Sequence, residues 1–213
     1  MRVEERVGGE PTKYEMQKQE RKQKILRSEF KTAGRYEMPI IKKQDFDMDT
    51  IALVDYRKVK MNDKENDYKT VQFFCHDWHF ENVFDEPEKA TECLKQYYAV
   101  LTPDFSVYTD MPVALQIWST FKNRWCGAYW QSLGFKVIPT IEWGDERSFE
   151  FCFDGIEQGA VVAVATYYRS DEEGFLKGYN KMMDVIKPSK VICYGKAFAG
   201  MKGNIYERVE TYH

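Results

Sequence analysis

The sequence contains no long apolar run. No stretch approaches the roughly 18 apolar residues that a membrane helix needs, and the opening MRVEERVGGE is charged where a secretion signal has an apolar core. The five cysteines are widely spaced and form no C-x-x-C pair, so a disulfide framework is not indicated. We therefore expect a cytoplasmic protein that does not bind a membrane.

Several common catalytic motifs are also missing. No G-x-x-x-x-G-K-[ST] loop is present, no G-x-G-x-x-G follows a strand pattern, and no G-x-S-x-G occurs. These absences argue against a P-loop NTPase, an ordinary dinucleotide-binding fold and the usual serine hydrolase. The formal net charge of -3 excludes a uniformly basic nucleic-acid coat but leaves room for a local basic patch.

One such patch lies near the start of the chain. Residues 11–35 carry eight Lys or Arg against three Glu, and residues 13–30 have many helix formers and few breakers. We predict a charged N-terminal helical arm over residues 1–35 and an α/β domain over residues 36–213. The arm is interpreted either as a contact for phosphates or an acidic partner, or as a solvated helix packed at one end against the domain.

Apolar runs of strand length alternate with helical patterns in the rest of the chain. The strand-like runs are residues 51–54, 71–75, 99–101, 137–141, 160–165 and 191–193, and the helical patterns are residues 88–98, 112–133 and 172–186. This rhythm predicts one α/β domain with a mainly parallel sheet, either an open sheet or an incomplete barrel, flanked by helices. We also expect the first strand and the polar stretch 60–69 to form a hairpin with residues 71–75.

Ligands of such sheets bind beyond the carboxyl ends of the strands, where polar residues follow most of the predicted strands here. The residues in these positions are His76, Asp77, His79, Asp104, Ser106, Glu142, Trp143, Asp145, Glu146, Arg147, Thr166, Tyr167, Arg169, Tyr194 and Lys196. The four candidate catalytic carboxylates are Asp77, Asp104, Glu142 and Asp145. Clustered carboxylates of this kind hold Mg²⁺ or Mn²⁺, for which Asp77 and Asp104 are the candidate ligands, or act as an acid and a base. The simpler interpretation is that they cap helices and pair with surface cations.

Candidate ligand-binding residues accompany the carboxylates. Trp143 is predicted either to stack on a ring or to cover the core, and Arg124 either to bind a phosphate or to form a surface salt bridge. Tyr194 and Lys196 follow the last strand and complete the candidate set.

Two weaker patterns are also present in the sequence. Cys75, Asp77 and His79 share one face of an extended strand and could contribute to a Zn²⁺ site, and the glycine-rich YGKAFAGMKGN is either a phosphate-binding loop or a mobile connection.

Three long strings resemble a known family. They are TPDFSVYTDMPVALQIW (102–118), NRWCGAYWQSLGFKVIPTIEWGDERSFEFCFDGI (123–156) and GAVVAVATYY (159–168). They are similar to a domain-of-unknown-function family found in bacteria, phages and other mobile elements, over about residues 36–195. The resemblance implies a cytoplasmic protein of phage or plasmid origin and supplies no activity or catalytic residue.

Two functional hypotheses follow from these residues. The first is an enzyme that acts on nucleic acid or a nucleotide through the acidic strand ends with a divalent metal. The second is a non-enzymatic protein that binds a host protein, a nucleotide signal or nucleic acid. A dispersed set of carboxylates, or a strand edge filled by Phe and Tyr, would favour the second hypothesis.

Overall fold

A computed structural model describes residues 11–167 and 169–208. Residues 1–10 of the predicted arm, Tyr168 and residues 209–213 lie outside the described residues. Contacts divide the chain into two units, one ending at Phe30 and the other beginning at Lys31. None of the helices in the described ranges combines the length and the apolar character that crossing a bilayer requires.

The first unit contains the helix α1 (Lys13–Leu26). The Thr12 hydroxyl accepts a hydrogen bond from the Glu15 amide at 3.2 Å, and the Glu15 carboxylate accepts one from the Thr12 amide at 2.8 Å. This reciprocal capping box satisfies two amides that the first turn would otherwise leave unpaired. The helix ends four residues earlier than predicted because Arg27 adopts a left-handed conformation with φ 47°. The role of the arm stays a prediction.

The second unit is an α/β domain. It begins with an antiparallel pair, β1 (Thr32–Ala33) and β2 (Met38–Pro39). Seven parallel strands follow in two sheets: β3 (Leu53–Asp55), β4 (Thr70–Gln72), β5 (Ala99–Leu101) and β6 (Val137–Ile138), then β7 (Val161–Ala165), β8 (Lys190–Tyr194) and β9 (Ile205–Arg208). One parallel bridge between Thr140 and Ala163 joins β6 to β7, so the strands are arranged in chain order. The predicted α/β class with a parallel, open sheet is confirmed.

The crossover segments between the strands carry the remaining helices. They are α2 (Asn82–Asp85) and α3 (Pro87–Leu94) between β4 and β5, α4 (Val113–Ser132) between β5 and β6, and α5 (Glu172–Ile186) between β7 and β8. The expected hairpin of the first strand with residues 71–75 is wrong, because β3 and β4 run parallel. A parallel pair needs a crossover, and residues 56–69 supply it.

Both faces of the strands are buried. Side chains of β7 and β8 alternate between two clusters: Ala163 and Ile192 join an inner cluster, whereas Val162 and Val191 pack on an outer cluster. The inner cluster also collects residues from β5 and β6, and the outer cluster includes Phe175 and Tyr179 of α5. Burial on both faces explains why these strands are continuous apolar runs in the sequence.

The sheet does not close into a barrel. Within the described residues no backbone pairing joins β9 to β3, but the Arg208 guanidinium of β9 donates to the carbonyls of Met48 at 2.7 Å and Ile51 at 3.0 Å, just before β3. A side chain thus spans the opening where a backbone ladder would close a barrel. The glycine-rich segment leads into β9, and its Met201 is buried while Phe198 packs edge-on against Phe175.

The buried face of α4 is more polar than its sequence suggests. Residues 114, 118, 121, 125 and 129 form the apolar stripe in the sequence, yet Trp118 of that stripe is 46% exposed. Gln116, Thr120, Asn123 and Arg124 are buried instead. Gln116 and Thr120 bond to carbonyls within or just before the helix, whereas Asn123 and Arg124 donate to carbonyls of distant segments. The bonds of Asn123 and Arg124 therefore hold this polar face of the helix against the rest of the domain.

Candidate functional site

A cleft of about 1080 Å³ lies at the carboxyl ends of the strands. Its lining comes from the segments that follow β3 to β8 and from residues of α5. The lining residues outside α5 are Arg57, Phe74 to His76, Asp104, Ser106 to Asp110, Glu142 to Arg147, Phe149, Ala165, Arg169 to Asp171 and Tyr194. The cleft is therefore at the edge of the sheet where ligands of parallel α/β folds bind. The rings of Phe74, Tyr108 and Tyr194 are part of its wall.

Two of the candidate carboxylates meet at this edge. Asp104 follows β5 and Glu142 follows β6, and their carboxyl groups lie close enough for the charge of Glu142 to raise the pKa of Asp104. Neighbouring carboxyl groups share a hydrogen bond when one of them carries a proton. Asp104 Oδ1 is buried and has no hydrogen-bond partner among the described residues.

Arg169 determines which partner keeps its charge. Its guanidinium forms an ion pair with the Glu142 carboxylate in the cleft. Burial raises the pKa of Asp104 well above its usual range, and the nearby Glu142 charge raises it further. Burial raises the pKa of Glu142 as well, but the charge of Arg169 and its hydrogen bond oppose this. These directions favour a proton on Asp104 and a charge on Glu142.

The other two candidate carboxylates hold a loop in place. Asp77 accepts hydrogen bonds from the amide and the hydroxyl of Ser106 at 3.1 and 2.8 Å. Asp145 forms an ion pair with Arg147, whose guanidinium also donates to the Thr109 carbonyl at 2.8 Å. The loop of residues 106–109 is thus attached at both ends by Asp77 and Asp145. The charge of Asp77 also lies near enough to raise the pKa of Asp104 and of Glu142.

Behind the cleft, α4 connects the strands that carry the pair. The Asn123 amide donates to the carbonyls of Pro103 at 2.8 Å and Thr140 at 3.2 Å, directly before Asp104 and two residues before Glu142. Arg124 is 1% exposed, and its guanidinium donates to the carbonyls of Asp154 and Cys152. Arg124 therefore lies in the core beneath the cleft, neither placed to bind a phosphate nor exposed as a surface salt bridge.

The remaining candidates differ in their position. Trp143 is 1% exposed and packs on Phe175 with ring centroids 5.0 Å apart, a position that favours its interpretation as a cover of the core. Tyr194 lines the cleft and stacks on Phe74 at 4.7 Å. Lys196 is exposed and does not line the cleft, and its carbonyl accepts a hydrogen bond from Thr166 at 2.9 Å.

The donor set does not fit a divalent metal ion. Both carboxylate oxygens of Asp77 are bonded to Ser106, and Arg169 already supplies the positive charge beside Glu142. In the described ranges no group of three or more His, Cys, Asp or Glu residues could hold a metal. Burial also raises the pKa of Cys75 to about 12, which leaves a thiol rather than a metal-binding thiolate. The expected Mg²⁺, Mn²⁺ or Zn²⁺ site has no support from these residues.

Comparison with known proteins assigns the family. A family model described as a domain of unknown function, DUF4417, matches residues 30–213. The chain belongs to the DUF4417 family. The resemblance seen in the sequence is thereby confirmed, including its occurrence in phages.

Two phage proteins are similar to this DUF4417 chain. The Gene 1 protein of Mycobacterium phage L5 is 37% identical over 180 residues, which are 80% of this chain and 76% of the phage protein. The Gene 1 protein of Mycobacterium phage D29 is 40% identical over 130 residues, which are 59% of this chain and 48% of the phage protein. The chain thus spans about half of the D29 relative. No solved structure matches.

Three site residues of this DUF4417 domain were missed or not selected from the sequence. Arg169 was placed at the strand ends but not assigned a role, although it is four residues beyond a clear strand. Asp55 ends β3, and its buried carboxylate forms an ion pair with the half-exposed Arg57, which lines the cleft. The predicted strand stopped one residue before Asp55, so the strand-end rule did not reach it. Asn123 carried no local signal, since its partners lie on two distant strands.

Proposed function

We propose that this protein is an enzyme that uses Asp104 and Glu142 as a proton donor and a proton acceptor. The observation that carries the proposal is the pair of neighbouring carboxyl groups, Asp104 and Glu142, which line the cleft with Arg169 paired to Glu142. Two carboxyl groups whose environments separate their pKa values are a recurring arrangement for acid–base catalysis. The proposal replaces the metal-dependent mechanism expected from the sequence.

Hydrolysis is the reaction that this pair supports best. Glu142 would take a proton from a water molecule, whose hydroxide attacks the electrophilic centre of the substrate. Asp104 would give its proton to the leaving group as the bond breaks. Because the two carboxyl groups are in direct contact, the proton gained by Glu142 then passes to Asp104 and restores the starting state.

A nucleotide or nucleic acid is our candidate substrate. The cleft volume of about 1080 Å³ exceeds what a small metabolite needs, and Arg57, Arg147 and Lys177 line it. Each of these cations has a carboxylate partner on its own segment, and acidic residues also line the cleft. A phosphate would therefore bind by exchanging one of these carboxylate partners for its own oxygens. A cytoplasmic location in the host agrees with such a substrate and belongs to the same proposal.

The test compares matched carboxylate variants. Purified protein would be incubated with nucleotides and oligonucleotides, and the products identified by mass spectrometry. We expect Asp104→Asn and Glu142→Gln each to lower turnover by about 10²-fold or more. Asp145→Asn should have a smaller effect, and Asp85→Asn on the exposed side of α2 should have none. A chelator should leave the rate unchanged.

Three results would overturn the proposal. One is full turnover in Asp104→Asn, and another is a rate that disappears with chelator and returns with Mg²⁺. The third is a carbon NMR titration in which Asp104 loses its proton at the pH of an ordinary aspartate. If ligands bind without any turnover, the non-enzymatic hypothesis replaces this one.

A further inference from the structure

Tyr108 is an exposed aromatic ring in a loop that is fixed on both sides. It is 58% exposed and lines the cleft between the ends of β5 and β6. Its hydroxyl lies 2.9 Å from the Ser106 hydroxyl, which in turn donates to Asp77 at 2.8 Å. One residue further on, the Thr109 carbonyl accepts a hydrogen bond from Arg147. The ring is therefore held in position at the opening of the cleft.

Packing does not explain this arrangement. A tyrosine ring on the surface normally moves freely, and fixing it in one orientation costs conformational entropy. Here two carboxylates, Asp77 and Asp145, are engaged in fixing the loop that presents it. Rings held in advance at the entrance to a site offer a flat apolar face to a ligand at little further entropic cost.

A planar heterocycle is the ligand group that suits such a face. The Tyr108 side of the cleft offers an aromatic surface, whereas Arg147 and Lys177 bring positive charge to the same cleft. A ligand that joins a flat base to an anionic group matches both features. Aromatic side chains stack on every nucleobase, because each base has a π-face.

We propose that Tyr108 stacks on the base of a nucleotide and so makes the cleft selective for base-containing ligands. The inference rests on the proposed function only in placing the ligand in this cleft. It does not require that Asp104 and Glu142 act by acid–base catalysis. It also gives Asp77 a role, since that residue positions Tyr108 through Ser106.

Binding with and without the base tests this inference. Adenosine monophosphate and ribose 5-phosphate would be titrated into the full chain by calorimetry, with Tyr108→Phe, Tyr108→Ala and the exposed Tyr68→Ala as variants. We expect Tyr108→Ala to weaken nucleotide binding about tenfold or more. Tyr108→Phe should weaken binding less than Tyr108→Ala, because it keeps the ring and loses only the hydroxyl that contacts Ser106. Tyr68→Ala should match the parent, and ribose 5-phosphate should bind weakly to all four proteins.

Several outcomes would contradict the inference. Equal affinity for the two ligands shows that the base is not recognised, and unchanged nucleotide binding in Tyr108→Ala shows that another group recognises it. Absence of binding by the folded parent protein contradicts it as well. Turnover of a substrate without a base, lost in Asp104→Asn, would overturn this inference and leave the proposed function intact.

Discussion

Asn123 shows how one buried polar residue can set the geometry of a site. Its side chain donates to two carbonyls on neighbouring strand ends and accepts a hydrogen bond from Arg124. Since the two carbonyls are close in sequence to Asp104 and Glu142, Asn123 fixes the separation of the acid pair. It touches neither carboxyl group and is therefore a positioning residue.

The first prediction concerns the substitution Asn123→Ala. It leaves two carbonyls and a guanidinium donor buried without this partner, so we expect the free energy of unfolding to fall by about 2 kcal/mol. Turnover should fall further than the loss of folded protein explains, because the strand ends separate. Urea unfolding and rate measurements would check this. Asn82→Ala, at an exposed position bonded to Tyr56, should change stability by less than about 0.5 kcal/mol.

At the scale of the elements, α5 approaches the cleft segment closely at one glycine. A Cβ atom at Gly178 would lie 2.1 Å from the Trp143 indole nitrogen and 2.3 Å from its Cδ1. Because Trp143 follows Glu142 directly, the contact between helix and ring also supports one member of the acid pair. The absence of a side chain at position 178 allows the indole to pack on the helix backbone.

The second prediction concerns the substitution Gly178→Ala. An alanine within an exposed helix would add about 1 kcal/mol of stability relative to glycine. Here the clash with a fully buried ring outweighs that gain, and we expect a net loss of about 1–3 kcal/mol in the free energy of unfolding. Chemical denaturation would measure it. Combining the change with Trp143→Phe should recover part of the loss, and simple additivity of the two changes would contradict the proposed contact.

Strands buried on both faces were the elements that the sequence predicted best. The runs at Ala99–Leu101 and Val161–Ala165 agree with the observed strands to within one residue, and α5 agrees at both ends. The strand β9 was missed because Ile205–Arg208 mixes charged with apolar residues after a glycine-rich segment. The face of α4 was misassigned because hydrogen bonds to distant carbonyls, which leave no periodic pattern, outweigh the apolar stripe.

The site was predictable only in its location. The strand-end rule brought Asp104 and Glu142 to one edge, since both follow clear strands. It could not separate them from Asp77 and Asp145, whose partners Ser106 and Arg147 determine their role. The Asp145–Arg147 spacing matches a turn in which the carboxylate caps the chain two residues on, which was the one local signal available.

At the scale of the whole molecule, the buried proton of Asp104 links folding to pH. In the unfolded chain this carboxyl group releases its proton near pH 4. In the folded state its pKa is raised, so it keeps the proton to a higher pH. The unfolded state is therefore favoured progressively as the pH rises from about 4 towards the raised pKa of Asp104. The raised pKa of Glu142 acts in the same direction.

The third prediction follows from this linkage. Relative to the parent, Asp104→Asn should gain stability as the pH rises from about 4 to 8, because an amide has no proton to lose. Urea unfolding at several pH values in this range would measure the difference. For the exposed Asp85→Asn, the difference from the parent in the free energy of unfolding should stay constant across this pH range. If the stability difference between Asp104→Asn and the parent stays constant over this pH range, the Asp104 carboxyl group of the parent titrates alike in the folded and unfolded states.

The chain-order arrangement of the parallel strands has a consequence for synthesis on the ribosome. From β4 onwards, each strand pairs with or lies beside one that has already emerged, so the sheet can grow in the order in which it is translated. Asp104 and Glu142 can therefore come together before Arg169 emerges from the ribosome. The nascent site therefore holds two carboxyl groups without their counter-charge, and the segment after β7 completes it.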